Sequence, residues 1–295
     1  MSKKEQLPAI NKEKAGDKFH AYLKHPAALI QVILVYAAAI ITFICLIFLI
    51  GYIVVNGVPN LSVDLFAWKY TSDNGSLMPA LLNTLVLTAL GLVIAVPLGV
   101  FAAIYLVEYA KSDNKAVIVI RMTAETLSGI PSIIYGLFGM LFFVKALNMG
   151  NSLLAGALTV SIMILPLIMR TTEEALLAVG NSYREGSFGL GAGKLRTVFT
   201  IVLPTAIPGI LSGVILGIGR IVGETAALIY TAGTVAQGPK SLLSSGRTLA
   251  VHMYVLSGEA LHMEQAYGTA IVLLILVILI NLLSGWVAQL LVKGK

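Results

Sequence analysis

The sequence is poor in charged residues and almost devoid of cysteine. Only 12% of its 295 residues are charged, whereas 58% are hydrophobic. A soluble domain carries about twice that charged fraction. Cys45 stands alone, so the chain can form no intrachain disulfide. These two shortages argue against a water-soluble fold and exclude a small domain held together by disulfides.

Long apolar runs replace the missing charge. A hydrocarbon core of about 30 Å takes roughly 20 helical residues to cross. Six segments are predicted to span it: 28–55, 80–107, 127–144, 153–169, 207–231 and 268–292. The predicted fold class is therefore an all-α integral membrane protein with six transmembrane helices. The first helix is expected to stay in the mature protein, because residues 1–27 form a long basic leader without a signal-peptide cleavage site.

The distribution of lysine and arginine predicts the orientation in the cell membrane. Fifteen of the 20 lie in residues 1–27, in the loops after the second and fourth spans, or in the tail, and three lie in the opposite loops. Because basic loops stay inside, both termini are predicted to be cytoplasmic. This asymmetry also accounts for the net charge of +6. The predicted surroundings are therefore a lipid bilayer, and no nucleic-acid partner is expected.

The long loop after the fourth span carries a gapped motif. It reads Glu185-Gly186-Ser187, three residues, Gly191, nine residues, then Ile201-Val202-Leu203-Pro204. Segment 183–204 resembles the EAA loop of ABC importer permeases, E-A-A-x3-G-x9-I-x-L-P, with glycine and serine in place of the two alanines. The resemblance implies a type I importer permease core over 80–292 and a coupling helix that docks on an ATPase. A solvated glycine-rich loop is the alternative.

Local chemistry of this loop suits docking. Its small residues permit a sharp bend and a close approach of backbones. Pro204 and Pro208 are expected to end the docking segment and to begin the fifth span. The glycines preceding Lys194 look like a phosphate-binding loop, but Phe188 and Leu195 stand where a Walker A sequence needs glycine and serine or threonine. The chain is therefore predicted to be no enzyme and to bind no cofactor, ATP being hydrolysed by a partner subunit.

Two charges fall within the fifth predicted span. Arg220 and Glu224 are four residues apart, so a continuous helix would place them on one face, where they can pair. The planar donor fork of arginine suits a tetrahedral oxyanion. An ion pair that only locks two helices explains the same residues, and both interpretations stay open on physical grounds.

Three stretches are similar to the phosphate importer permeases of the PstA type. They are Arg220-x-x-Gly223-Glu224-Thr225-Ala226, Pro131-Ser132-Ile133-Ile134-Tyr135-Gly136-Leu137-Phe138, and Arg170-Thr171-Thr172-Glu173. The resemblance implies import of inorganic phosphate by alternating access, along a path that includes Arg220, Glu224, Thr225 and Arg170. It also implies a heterodimer with a PstC-type sister permease, a cytoplasmic PstB-type ATPase dimer and an extracytoplasmic PstS-type phosphate-binding protein.

Two rival functions remain. The nearer is an ABC permease for another oxyanion, such as sulfate or molybdate. The other is an ion-coupled secondary carrier or channel, which would need no docking loop and often shows inverted repeats that this sequence lacks. No metal site is predicted, and His252 and His262 are expected to be surface residues.

Overall fold

The computed structural model describes residues 26–111, 114–258 and 262–293, and within these ranges every regular element is a helix. The helices are α1 Pro26–Gly57, α2 Met78–Ile104, α3 Lys115–Ser128, α4 Ser132–Gly139, α5 Leu153–Leu177, α6 Asn181–Gly189, α7 Lys194–Thr197, α8 Leu203–Val222, α9 Ala226–Thr231, α10 Leu249–Gly258 and α11 Met263–Lys293. Wider π-helical turns extend α2 (Tyr105–Tyr109) and α4 (Met140–Ala146), and a third joins α7 to α8 (Val198–Val202).

Five helical stretches are long and apolar enough to span a membrane. They are Ala27–Asn60, Met78–Tyr109, Leu153–Leu177, Lys194–Val222 and Met263–Trp286, and the bent pair α3–α4 makes a sixth if it counts as one span. The predicted all-α, multi-pass membrane fold is confirmed. Residues 26–55, most of α1, form a unit of their own, whose side chains are apolar on all sides of the helix.

The core of residues 56–293 lies where α2, α5 and α8 pack together. Leu87, Val160 and Ile221 are fully buried there. Glycines on α2 allow the close approach, since a Cβ on Gly91 would lie 3.2 Å from both Ile221 and Val160. Gly91 is the middle residue of α2, so the end of α8 lies level with the middle of that helix.

The third predicted span is wrong as a single helix over 127–144. The chain instead forms α3 and α4, which meet at an angle of 103° across residues 129–131. Pro131 precedes the first residue of α4 and has no N–H for a continuing helix. The region before 127, expected to be loop, is helical because Asn114 caps it by accepting a hydrogen bond from the Ala116 amide.

The fourth and fifth predicted spans also have different ends in the structure. α5 continues to Leu177, eight residues beyond the expected end. The fifth span begins earlier, because a continuous helix runs over Lys194–Val222, and it ends earlier too. The expectation that Pro204 and Pro208 end a segment is therefore wrong. The wide turn at Val198–Val202 directly precedes Pro204 and gives its ring the room that a regular helix lacks.

Candidate functional site

The glycine-rich loop folds as two short helices joined by a tight turn. At the end of α6, the Ala192 amide donates to the Ser187 carbonyl (3.1 Å) and the Gly191 amide donates to the Phe188 carbonyl (2.9 Å). This pair of bonds is a Schellman motif, which needs a left-handed residue at its turn. Gly191 supplies it with φ of +80°. The bend expected from the glycine content therefore lies at Gly191 and points α7 toward the membrane helix.

The outer side of this helix–turn–helix is open. Gly186, Gly189 and Gly193 have no atom of the described residues within 4 Å of where a Cβ would lie, so packing against those residues does not require their small size. Large apolar side chains stand beside them, Leu190 being 91% and Leu195 66% exposed. Glu185 is exposed on the same short helix. Exposed apolar side chains next to bare backbone are typical of a surface that another protein covers.

A buried ion pair fixes the loop to the bundle. Arg184 donates through Nη2 (2.6 Å) and Nε (3.1 Å) to Oε1 of Glu108, which lies in the π-turn that extends α2. The same guanidinium donates to the carbonyls of Leu176, in the last turn of α5, and of Val179, two residues beyond its end. Both partners are shielded, their side chains being 14% and 8% exposed. Because one arginine binds α2, α5 and α6 together, the loop is held rigidly against two membrane helices.

Shorter links stiffen the loop internally. Ser187 is buried and its hydroxyl lies 2.8 Å from that of Thr197, which joins α6 to α7. The Lys194 ammonium lies 5.2 Å from the centre of the Tyr109 ring. Ile201, Leu203 and Pro204 are half-buried at the start of the membrane helix. The motif residues thus fall into two groups, those of an exposed turn and those at the half-buried start of the membrane helix.

Arg220 lies in the last turn of α8, next to Ile221 at mid-depth of the bundle. A basic side chain at a helix C-terminus is favourable because it meets the negative end of the helix dipole. Arg220 is half-buried, and its positive charge interacts electrostatically with the Tyr135 hydroxyl on α4. The ion pairs in the described part of the chain are Arg121–Glu173, Arg170–Glu174 and Arg184–Glu108, so Arg220 has no carboxylate partner there.

The expected pairing of Arg220 with Glu224 is therefore wrong. α8 ends at Val222, so the two residues no longer share a helical face. Glu224 is buried, and its Oε1 accepts a hydrogen bond from the Ala227 amide (2.9 Å) at the start of α9. Thr225 is half-exposed in the same break. Glu224 thus lies within an unwound segment, 223–225, and Arg220 lies in the helical turn just before it.

Arg170 lies away from Arg220. Its neighbour Thr171 packs against Gly213, two helical turns from Arg220 along α8. Arg170 is 60% exposed and pairs with Glu174 one turn later (3.1 Å). It borders a cavity of about 250 Å³ that is also lined by Arg121, Glu125 and Glu173. The structure therefore does not bring the two arginines of the expected path into one site.

Comparison with known proteins assigns the fold and the loop to a family. A sequence model of the binding-protein-dependent transport system inner membrane component matches residues 95–295, which include the docking loop and Arg220. This chain belongs to that family. A probable ABC transporter permease protein, YqgI of Bacillus subtilis, is 34% identical over 274 residues, which cover 87% of this chain and 92% of the relative.

Further relatives support the same family. The phosphate transport system permease protein PstA 1 of Mycobacterium tuberculosis is 35% identical over 220 residues, covering 72% of this permease and 70% of the relative. Among solved structures, a bacterial ABC transporter involved in the import of the acidic polysaccharide alginate has a chain with a TM-score of 0.62 and 15% identity. That match covers 88% of this permease and 98% of the other chain, and it supports the importer permease fold.

One buried cluster of the permease was missed by sequence reasoning. His252 is fully buried, so its expected surface position is wrong, and its Nε2 lies 3.2 Å from the Gly75 carbonyl oxygen. Burial, together with the nearby charge of Arg247, lowers the pKa of His252 to about 3. Arg247 is itself only 4% exposed. No spacing signal in the sequence joins these residues to Gly75 across the intervening helices.

Proposed function

We propose that this permease moves inorganic phosphate across the cell membrane as the PstA-type subunit of an ATP-driven importer. The observation that carries the proposal is Arg220, a half-buried cation at mid-depth of the bundle without a carboxylate partner among the described residues. Transporter sites commonly lie at such depth, beside broken helices. A relative that covers most of the same residues is named a phosphate transport permease.

In this proposal the unwound segment 223–225 shapes the translocation path. A guanidinium without a carboxylate partner can bind the paired oxygens of a phosphate with two parallel hydrogen bonds. Glu224 caps α9 and keeps the break open, since its carboxylate is already used by the Ala227 amide. Thr225 lies at the same break, and Arg170 lies two turns further toward the docking loop, at a later point of the path.

The docking loop is proposed to bind a PstB-type ATPase dimer. Its exposed turn offers Leu190 and Leu195 beside glycines whose backbone is open to a partner. The permease itself is proposed to hydrolyse no ATP. Its other partners would be a PstC-type sister permease, with which it forms a heterodimer, and a PstS-type binding protein at the opposite membrane face.

Orientation follows from this assignment and has a direct test. With the loop at the ATPase, both termini are cytoplasmic. In a Cys45→Ala background, Lys194→Cys should react with an impermeant thiol reagent only from the cytoplasmic side, and Ser241→Cys only from outside. Both positions are exposed. Labelling of Lys194→Cys from outside would overturn the orientation and the ATPase contact together.

The phosphate assignment is tested at Arg220. Arg220→Lys keeps the charge but loses the planar donor fork, so phosphate uptake should fall at least tenfold while assembly with the ATPase is retained. Arg220→Gln should abolish uptake and leave the fold intact, because Glu224 is bonded to Ala227 and is not stranded by the change. The matched control is Arg196→Lys, an exposed arginine in the docking region.

Three results would contradict the proposal. Normal phosphate uptake by Arg220→Gln would show that this side chain does not touch the transported ion. Uptake of sulfate or molybdate in preference to phosphate by the unaltered importer would assign the permease to the rival oxyanion. Transport that persists without the ATPase would favour an ion-coupled carrier.

A further inference from the structure

Arg247 is a buried cation without a counter-charge in the described part of the chain. Its side chain is 4% exposed, and neither Nε nor Nη2 has a hydrogen-bond partner. Its guanidinium carbon lies 4.7 Å from the centre of the Tyr70 ring, a contact that offsets only a small part of the lost hydration. An ion removed from water and left unpaired is strongly unfavourable. A group beyond the described residues is therefore expected to complete this site.

Other unpaired polar atoms belong to the same cluster. The Thr248 hydroxyl, Nδ1 of His252 and Oδ1 of Asn83 are all buried and have no hydrogen-bond partner among the residues that the structure describes. Asn83 is tied to this place because its Nδ2 donates to the carbonyls of Arg247 (3.1 Å) and Gln237 (2.8 Å). The Tyr70 ring contacts both the Arg247 guanidinium and the His252 imidazole. The centres of the Tyr70 and His252 rings lie 6.0 Å apart. These contacts place the unpaired donors and the unpaired acceptors in one neighbourhood.

The chemistry of His252 fixes the role of its free nitrogen. Nε2 faces a carbonyl oxygen, which can only accept, so Nε2 carries the proton. The ring is neutral because burial holds its pKa far below 7. Nδ1 is consequently a hydrogen-bond acceptor, as is the amide oxygen of Asn83. The cluster thus offers donors from Arg247 and acceptors from His252 and Asn83.

We infer that Arg247, Thr248, His252 and Asn83 form a second oxyanion site, for a tetrahedral anion that still carries a proton, such as hydrogen phosphate. Its charged oxygens would accept from Arg247, while its hydroxyl would donate to Nδ1 of His252 or Oδ1 of Asn83. A carboxylate side chain of a partner subunit has no proton to give to these acceptors, and a fully ionised sulfate has none either. The site therefore selects protonated oxyanions over sulfate.

The location assigns this site to the membrane face opposite the docking loop. Asn83 is in the second turn of α2, whereas Glu108, which binds the docking loop, lies in the turn that extends the other end of that helix. The 25 residues between them span roughly 38 Å, about the thickness of a bilayer. The inference rests on the proposed function, and the second site would hold phosphate before it reaches Arg220.

Segment 67–76 covers the cluster. Tyr70 lies over Arg247, and Gly75 accepts the hydrogen bond of His252. The segment is closed by the Ser76 hydroxyl, which donates to the Ala67 carbonyl, and by Asn74, whose side chain accepts from the Thr71 amide (2.9 Å). An anion reaches Arg247 only when this cover moves, which suits a site that is filled at one stage of transport.

The test measures thermal unfolding of the purified transporter in an Arg220→Gln background, where phosphate can bind only elsewhere. At constant ionic strength, phosphate and arsenate should raise the unfolding midpoint by several degrees, and sulfate should not. Arg247→Met, in the same background, should raise the midpoint without phosphate, because it removes an unpaired buried charge, and should abolish the phosphate-dependent shift. Lys240→Met, an exposed cation in the same outer loop, is the matched control and should change neither quantity.

Each other outcome overturns the inference. An equal shift with sulfate would show that the acceptors take no part. A phosphate shift that survives in Arg247→Met would place the bound anion elsewhere. A lower midpoint in phosphate-free Arg247→Met would show that the guanidinium is satisfied inside the assembly. If Arg247→Met fails to fold, Thr248→Val at nearly equal volume must weaken the phosphate shift, and an unchanged shift contradicts the site. Phosphate uptake by the unaltered importer is scored separately, so the proposed function can stand when this site fails.

Discussion

Arg184 and Arg247 lie at opposite ends of α2, and both are shielded from water, but their surroundings differ. Arg184 donates to Glu108 and to two carbonyls at the end of α5, so its charge is neutralised and most of its donors are used. Among the described residues, two nitrogens of Arg247 are unpaired, and its guanidinium lies over the Tyr70 ring. The docking end is thus complete within the described residues, whereas the opposite end lacks a counter-charge there.

The largest expected effect comes from breaking the complete end. Arg184→Met leaves the Glu108 carboxylate buried without its partner, which costs roughly 3–5 kcal/mol. Denaturant unfolding should show that loss, and coupling of ATP hydrolysis to transport should fall with it. Arg196→Met, at an exposed arginine of the same loop, serves as control for the unfolding measurement. If the free energy of unfolding falls by less than about 1 kcal/mol, the Arg184–Glu108 pair stabilises the fold less than its contacts indicate, and the contrast with Arg247 is weakened.

Acid titration sharpens the comparison at the incomplete end. The pKa of His252 is lowered to about 3, so the unfolded chain binds a proton between roughly pH 6.5 and pH 3 that the folded chain does not. The free energy of unfolding is therefore unaffected by His252 above about pH 6.5, and it declines as the pH falls below that value. Between pH 7 and pH 5 the loss should be about 2 kcal/mol.

Substituting the histidine checks the origin of that loss. His252→Gln should flatten the fall of the unfolding midpoint between pH 7 and pH 5. The same substitution at His262, the residue that precedes α11, is the control. If His252→Gln leaves the acid sensitivity unchanged, another group titrates, and the buried neutral imidazole is not its source.

A smaller effect is expected at the exposed turn of the docking end. Gly191 has φ of +80°, a conformation that costs a β-branched residue roughly 1–2 kcal/mol. Gly191→Val should therefore lower stability and weaken ATPase binding, while Gly191→Asn should retain most of both, because asparagine tolerates this conformation. Co-purification of the ATPase with each variant measures the outcome. Equal binding by the valine variant would favour a solvated linker over a docking element.

The smallest effect is expected where an arginine is exposed. Arg170 and Glu174 form a surface pair one helical turn apart, and such pairs contribute at most about 0.5 kcal/mol. Arg170→Gln should hardly change the unfolding midpoint. Arg121→Gln should cost more, since its partner Glu173 is 13% exposed. A large destabilisation by Arg170→Gln would require a buried partner that this pair lacks.

The sequence was sufficient for the all-α membrane fold, with five of its spans as long apolar helices, and for the gapped motif of the loop, because both depend on local pattern. Apolar length predicts a spanning helix directly, and the spacing from Glu185 to Pro204 is a one-dimensional signal. Breaks within helices were harder to predict from the sequence. The apolar run across Gly129–Pro131 concealed a bend of 103°, and the run through Glu224 concealed the end of α8.

The buried cluster could not be predicted for a different reason. Asn83 bonds to Arg247 across 164 residues, and Gly75 bonds to His252 across 177. Contacts at such separations depend on how the helices pack, and no spacing rule of a single helix encodes them. Charged residues in an outer loop are usually solvated, so the general expectation places Arg247 and His252 at the surface.

The central claim is that this permease imports phosphate through a path that includes Arg220. The most direct measurement is uptake into proteoliposomes that contain the assembled permease pair and ATPase, with ATP on the docking-loop side and a binding protein on the other. Uptake of labelled phosphate should require ATP, resist competition by sulfate and molybdate, and be lost in Arg220→Gln complexes that still contain the ATPase. Uptake that is unchanged in Arg220→Gln, or that sulfate suppresses, would contradict the account.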